Sequence, residues 1–287
     1  MKIGIVGHGF VGKAVDYGFP GNMCRKTIID PRYGNSVADL KGQDFQDFTF
    51  VCVPTPMGDN GKIDSSIITS VIHEIKKHTS GVIIVKSTIT PDIVQELFTG
   101  ADTLRMVYNP EFLTEKSANE DFVNPFMHVF GGMPGATDMV EHLYKFYSLC
   151  KPCPTYHMSA VDASFVKYGI NSFLASKVLW FNQFYDVVNG HSANFGKVIG
   201  AITADDRIGR SHTTVPGFDG KRGFGGACFP KDTSALAHFA DGVGVDMTVL
   251  KEVIRANNEY RKPYEKDARE IEQNVKFSNT FGRDTDG

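Results

Sequence analysis

Lys2-Ile-Gly-Ile-Val-Gly-His-Gly-Phe-Val-Gly12 decides the fold. A short β-branched run ends in a G-x-G-x-x-G turn that opens a helical pattern, the context in which those glycines carry meaning. Glycines allow a tight turn and close backbone approach, and the following helix N-terminus presents N–H groups to a pyrophosphate. Gly7, Gly9, Phe10, Val11 and Gly12 are therefore read as a dinucleotide-binding loop. Thr27-Ile-Ile-Asp30 ends a second strand in a carboxylate, placed to accept from the adenosine ribose hydroxyls and to repel a 2′-phosphate. The cofactor expected is NAD. Arg32 stands close enough to soften that preference.

Outward from this loop, strands are expected at Lys2–Val6, Thr27–Asp30, Thr49–Val53, Val82–Lys86, Met106–Tyr108 and His128–Phe130, with amphipathic helices at Ser65–His78, Thr90–Phe98 and Ala136–Leu149. That alternation predicts an α/β, Rossmann-type doubly wound parallel sheet over residues 1–154. Residues 155–277 read as an all-α central domain built on one long helix, Ser159–Val188, apolar on more than one face. Val161, Phe165, Phe173, Leu174, Val178, Phe181, Tyr185 and Val188 need cover from several sides, which suits a homodimer interface. Residues 278–287 are polar and are expected to form a flexible tail.

The 287 residues carry a net charge of −3 and 41% hydrophobic residues, enough for a sizeable core and without a global basic field for nucleic acid. No signal-peptide layout or membrane span is apparent, so a cytoplasmic protein is expected, with no nucleic-acid or membrane partner. Five cysteines, an odd number, suit reduced thiols. Cys150-Lys-Pro-Cys153 has no second pair to complete a zinc site and reads as structural, and no metal is expected.

Several segments carry candidate chemistry. Val53-Pro-Thr-Pro56 and Lys86-Ser-Thr-Ile-Thr-Pro91 lie at strand C-termini, where open α/β sheets bind ligands, so Thr55, Ser87 and Thr88 offer hydroxyls to cofactor or substrate. Asn109-Pro-Glu-Phe-Leu-Thr-Glu115 sets Glu111 and Glu115 four apart; on a helical turn both would project to one side as acid-base candidates. Lys167 and Asn171, also four apart on the long helix, read as an oxyanion stabiliser with a substrate anchor. Gly223-Phe-Gly-Gly-Ala-Cys228-Phe-Pro-Lys-Asp232 is the most informative stretch: a glycine cradle, then a cysteine at a helix start beside Lys231 and Asp232. Both a helix N-terminus and a nearby lysine favour thiolate, the form that attacks carbonyls.

Taken together, GHGFVG, VPTP, KSTITP, NPEFLTE, KYGINSFLASKV and GFGGACFPKD, in that order, closely resemble the UDP-glucose/GDP-mannose dehydrogenase family, most of all its UDP-glucose-oxidising members, from Met1 to about Glu259. The resemblance implies a two-step, NAD-dependent oxidation of a sugar-nucleotide C6 alcohol, UDP-glucose to UDP-glucuronate, through a thiohemiacetal and a thioester on Cys228. It implies that Lys167 stabilises the oxyanion, Asn171 anchors the sugar, Asp232 and Thr88 handle water, and Glu111 serves acid-base steps and substrate contact. Glu115 and Lys231 would lie near the nicotinamide; Phe112, Leu113, Phe224 and Gly225 would line the substrate; Arg207 would reach a substrate held by the neighbouring subunit. Family members usually continue into a second Rossmann-like domain, so part of the nucleotide grip is expected to be absent. Asn35 stands where an arginine often follows the acidic residue, leaving Arg32 to cover the adenine side. Rival readings are the same chemistry on GDP-mannose or UDP-N-acetylmannosamine, a one-step 3-hydroxyacid dehydrogenase, and a non-catalytic NAD-binding part of a split protein.

Overall fold

A computed structural model describes residues 1–40, 46–262, 265–277 and 281. The chain forms two compact units: Met1–Thr55 with Ile63–Lys167, and Pro56–Lys62 with Tyr168–Gly287. Of the expected tail, 278–287, only Phe281 falls among the described residues.

The first unit is a seven-stranded sheet: β1 (Lys2–Val6), β2 (Arg25–Ile29), β3 (Phe48–Val51), β4 (Val82–Val85), β5 (Met106–Tyr108), β6 (His128–Gly132) and β7 (Thr155–Met158). Its order is β2-β1-β3-β4-β5-β6-β7, parallel except where β6 runs against β5. Helices α1 (Phe10–Gly18), α2 (Ser66–His78), α3 (Pro91–Leu97), α4 (Ala118–Val123) and α5 (Pro134–Tyr147) complete it. The central strands are apolar on both faces, as a sheet covered on both sides requires: Val82–Val85 and Met106–Tyr108 are buried throughout. One core gathers Ile68, Ile72, Ile83, Val85 and Tyr108, the other Ile3, Ile5, Phe19, Phe50 and Phe130. The strand order reverses between β1 and β3, the switch point at which such sheets hold ligands beyond their carboxyl ends. β7 escapes sequence reading because Thr-Tyr-His-Met has no apolar alternation; it is a half-exposed edge strand.

The expected long helix is α6 (Ala160–Gly190), which contributes its first turns to the first unit and the rest to the second. The second unit adds α7 (Phe195–Ile202), α8 (Phe229–Gly242), α9 (Thr248–Tyr260) and α10 (Ala268–Glu272). Its core gathers Ala175 and Leu179 of α6 with Phe224 and the partly buried Val253 and Ala256 of α9. Phe181 and Val188 are also buried, whereas Phe173 (69% exposed), Trp180 (53%) and Val187 (60%) form a seven-residue-spaced apolar stripe on the surface. The segment Pro56–Lys62 belongs to this unit: Met57 N–H donates to Gln273, Asn274 returns a bond to the Met57 carbonyl, and Ser234 Oγ donates to Gly61.

Candidate active site

In the first unit the glycine loop is shaped by main-chain crowding. Gly7 has φ +87°, and a Cβ there would stand 2.6 Å from the Cys52 carbonyl at the end of β3. A Cβ on Gly12 would fall 1.9 Å from the Gly7 carbonyl. Gly9, the residue that starts α1, has open space where its Cβ would be. Tight packing behind the loop and clearance in front of it fit a pyrophosphate approaching the N-terminus of α1. Asp30, after β2, is buried; it accepts from the His8 N–H at 2.7 Å and is forked by Arg32 through Nε at 2.9 Å and Nη2 at 2.8 Å. Those bonds, led by that from Arg32, outweigh burial and hold its carboxyl far below the ordinary range. Asn35 bonds the Asp30 N–H and the Ile28 carbonyl, a structural role that pins the turn.

The hydroxyls at the strand ends also serve the backbone. Thr55 Oγ1 donates to the Thr88 carbonyl at 2.8 Å and Ser87 Oγ to the Val53 carbonyl at 2.7 Å, tying the ends of β3 and β4 together. Asn109-Pro-Glu-Phe-Leu-Thr-Glu115 is not a helical turn, and its two carboxylates are not a pair. Proline disfavours helix at Asn109, the Glu111 carboxylate accepts the Leu113 N–H at 2.7 Å, and helix resumes only at Ala118. Glu111 is buried and Glu115 exposed. The Lys167 ammonium, also buried, donates to the Glu111 carbonyl (2.5 Å) and Oε1 (3.0 Å) and lies 5.4 Å from the Phe112 ring centroid. Burial pushes the Glu111 carboxyl up, but Lys167, the Leu113 N–H and Lys86 outweigh it and hold the group below its ordinary value. Leu113, partly buried, packs on the second core.

Lys86, from the same motif as Thr88, was not singled out by sequence reasoning. Its buried ammonium donates to Asn109 O (3.1 Å), Asn109 Oδ1 (2.9 Å) and the Tyr144 hydroxyl (3.4 Å), bracing the turn that presents Glu111. Burial pulls its pKa down to about 8.

In the second unit Cys228, partly exposed, starts α8, whose first turn holds Pro230, Lys231 and Asp232, all buried. Proline suits a first-turn position, where its absent N–H is no loss. Asp232 is shared: Lys231 Nζ donates to Oδ1 at 2.6 Å and Asn171 Nδ2 to Oδ2 at 2.6 Å. Lys167 and Asn171 thus engage different carboxylates. A buried lysine–carboxylate–amide chain of this kind carries a desolvation cost that apolar residues in its place would not.

The glycine loop before Cys228 is gripped by side chains, another set that left no local motif. Asn182 of α6 accepts the Gly223 N–H at 2.9 Å; Asn257 of α9 accepts the Phe224 N–H at 2.7 Å and donates to the Phe224 carbonyl at 2.9 Å. Arg261 donates to the Gly223 carbonyl at 2.9 Å, and Glu270 of α10 accepts the Gly226 N–H at 2.8 Å. Gly223 has φ +70°, and a Cβ there would stand 2.5 Å from Asn257 Oδ1; one on Gly225 would stand 2.5 Å from Arg261 Nη1. Phe224 is buried beneath. Arg207 is on the surface, 89% exposed, with its guanidinium on Asp205.

Burial pushes the Cys52 thiol up to about 12 and the Cys150 thiol up to about 11, and raises Cys24 and Cys153. All five cysteines are without a disulfide. Among the described residues no helix is long and apolar enough to cross a membrane.

Comparison with known proteins gives two family matches: residues 35–148 match the NAD binding domain, and residues 161–259 the central domain, of the UDP-glucose/GDP-mannose dehydrogenase family. The UDP-glucose 6-dehydrogenase TuaD of Bacillus subtilis is 32% identical over 252 residues, covering 84% of this chain and 52% of the relative. The GDP-mannose 6-dehydrogenase of Pseudomonas aeruginosa is 29% identical over 276 residues, covering 85% and 61%. The chain spans about half the length of the curated relatives it matches. Among solved structures, a UDP-glucose dehydrogenase from Pyrobaculum islandicum superposes with a TM-score of 0.74 at 25% identity, covering 90% of this chain and 68% of that one.

Proposed function

The chain belongs to the UDP-glucose/GDP-mannose dehydrogenase family, carrying its NAD binding and central domains, and on that premise we propose that it oxidises the C6 alcohol of UDP-glucose to the carboxylate through Cys228. The observation that carries the reading is the second unit's arrangement: a partly exposed cysteine at the start of α8, on a glycine loop held at Gly223, Phe224 and Gly226, beside the buried Lys231–Asp232–Asn171 chain. A buried inert thiol needs none of these.

NAD, when bound, supplies the hydride acceptor, one equivalent for each of the two oxidations. Gly7, Gly9, Phe10, Val11 and Gly12 would receive its pyrophosphate and Asp30 its ribose, with Thr55, Ser87, Thr88, Glu115 and Lys231 as further contacts. The Cys228 thiolate adds to the aldehyde carbon, and the new alkoxide oxygen, stabilised by Lys167 Nζ, takes up a proton to leave a thiohemiacetal. At the thioester stage a water, oriented by Asp232 and Thr88, attacks the acyl carbon; the carbon–sulfur bond breaks, the sulfur leaves as thiolate, and the water's protons are released as the carboxylate forms. Glu111, kept ionised, suits proton acceptance and contact with the sugar; Asn171, Phe112, Leu113, Phe224 and Gly225 complete the substrate set. The reading takes the enzyme as cytoplasmic and as a homodimer, its exposed Phe173, Trp180 and Val187 stripe meeting a second copy and Arg207 serving the neighbour's substrate.

Turnover of the purified protein with NAD and UDP-glucose tests this. Two NADH per uronate are expected, and one NADH per product, or oxidation of GDP-mannose in preference, would overturn the chemistry or the substrate respectively.

A further inference from the structure

Asp30 already has its acceptor sites filled. Oδ1 takes the Arg32 N–H at 3.0 Å and Arg32 Nε at 2.9 Å; Oδ2 takes the His8 N–H at 2.7 Å and Arg32 Nη2 at 2.8 Å. Two carboxylate oxygens offer about four lone-pair sites between them. To accept from a ribose diol, the role assigned to Asp30 above, at least one of these donors must give way. The two backbone N–H groups are fixed, one in the glycine loop after β1 and the other in a tight turn at Pro31–Tyr33. The guanidinium is the movable one: the Arg32 side chain is 57% exposed against 7% for Asp30.

A guanidinium displaced from Asp30 remains tethered two residues away from the carboxylate that would hold the ribose. Its planar fork matches a phosphate dianion as well as a carboxylate. We infer that Arg32 is the residue that sets cofactor selectivity: it competes with the ribose of NAD for Asp30, and once displaced it seats the 2′-phosphate of NADP. The inference rests on reading Gly7–Gly12 and Asp30 as the coenzyme site. Its consequence is a narrower preference for NAD than a bare aspartate would impose, because the same side chain opposes one coenzyme and assists the other.

The test is calorimetric binding of NAD and NADP to the wild-type chain, Arg32→Ala and Arg32→Gln, without substrate. Removing the competitor is expected to tighten NAD several-fold in both variants. Losing a charge-assisted phosphate contact should weaken NADP by roughly tenfold. Opposite signs for the two coenzymes support the proposal. Weakening of both would show that Arg32 merely packs against the adenosine, and unchanged constants for both would show an idle guanidinium; either overturns it while leaving the coenzyme site intact. Failure of the folded wild-type chain to bind either nucleotide would instead overturn the reading of the site itself.

Discussion

Two glycine-rich loops in this chain each open a helix, and they are held in opposite ways. Gly7–Gly12 is packed by backbone against backbone, with the Cys52 and Gly7 carbonyls close behind it and clear space at Gly9. Gly223–Gly226 is clamped by side chains from α6, α9 and α10 and by Arg261, and its glycines are needed because amide and guanidinium groups press where a Cβ would be. The contrast follows from what each must do. A loop that receives a flexible dinucleotide needs an open outer face at a helix start. A loop that aims a nucleophile needs its backbone fixed so that one sulfur stays in one place.

The strongest test of that division is Cys228→Ser. Carboxylate formation should fall at least about a thousandfold, a hydroxyl being a far poorer nucleophile than a thiolate, while NAD affinity measured by calorimetry stays unchanged; carboxylate formed at the wild-type rate would break the comparison. Loosening the clamp is the next largest perturbation. Asn257→Ala leaves the Phe224 N–H and carbonyl buried without their partner, each worth about 1–3 kcal/mol, so urea melts should show a loss of that order. Turnover at saturating substrates should fall with the NAD constant intact. On the open loop the pattern should invert: Gly9→Ala is expected to weaken NAD roughly tenfold by obstructing one close phosphate contact, yet to change stability by less than about 1 kcal/mol. Equal losses of stability at Gly9 and Asn257 would erase the distinction.

The smallest expected effect is a control outside both loops. Glu111 titrates in the folded chain below its ordinary value of 4.5, because Lys167, the Leu113 N–H and Lys86 outweigh burial. A depressed carboxylate contributes stability that is fully present above its unfolded pKa and is lost as the pH falls through the folded one. The stability gap between wild type and Glu111→Gln should therefore be flat near neutrality and shrink below about pH 4.5. A gap that widens on acidification would mean that the carboxylate is held protonated.

Much of the fold was legible because its signals are local. Lys2–Val6 and Met106–Tyr108 were read to the residue, and the long helix to within two. β7 was hidden because none of its four residues is buried, so this edge strand carries no apolar alternation. The reading of Glu111 and Glu115 as a helical pair failed for a similar reason: spacing implies a shared face only if the backbone is helical, and Pro110 together with the Glu111 to Leu113 bond makes it otherwise. Asn182, Asn257, Arg261 and Glu270 could not be found at all, since their bonds to the glycine loop span 33 to 44 residues. A buried amide in mid-helix has no sequence motif; only its distant partner explains it.

The placement of Pro56–Lys62 bears on how such a chain can be shuffled or dissected. Those residues are encoded within the first unit yet hydrogen-bond with Gln273, Asn274 and Ser234 of the second. Neither unit is therefore a single uninterrupted stretch of gene. A chimera that exchanged residues 168–287 for those of a relative would retain the wrong loop at 56–62, and Met57 would meet foreign partners where it now bonds the Gln273 carbonyl and the Asn274 side-chain amide. Inheritance of the helical unit is discontinuous, and a functional exchange between relatives requires three junctions rather than one.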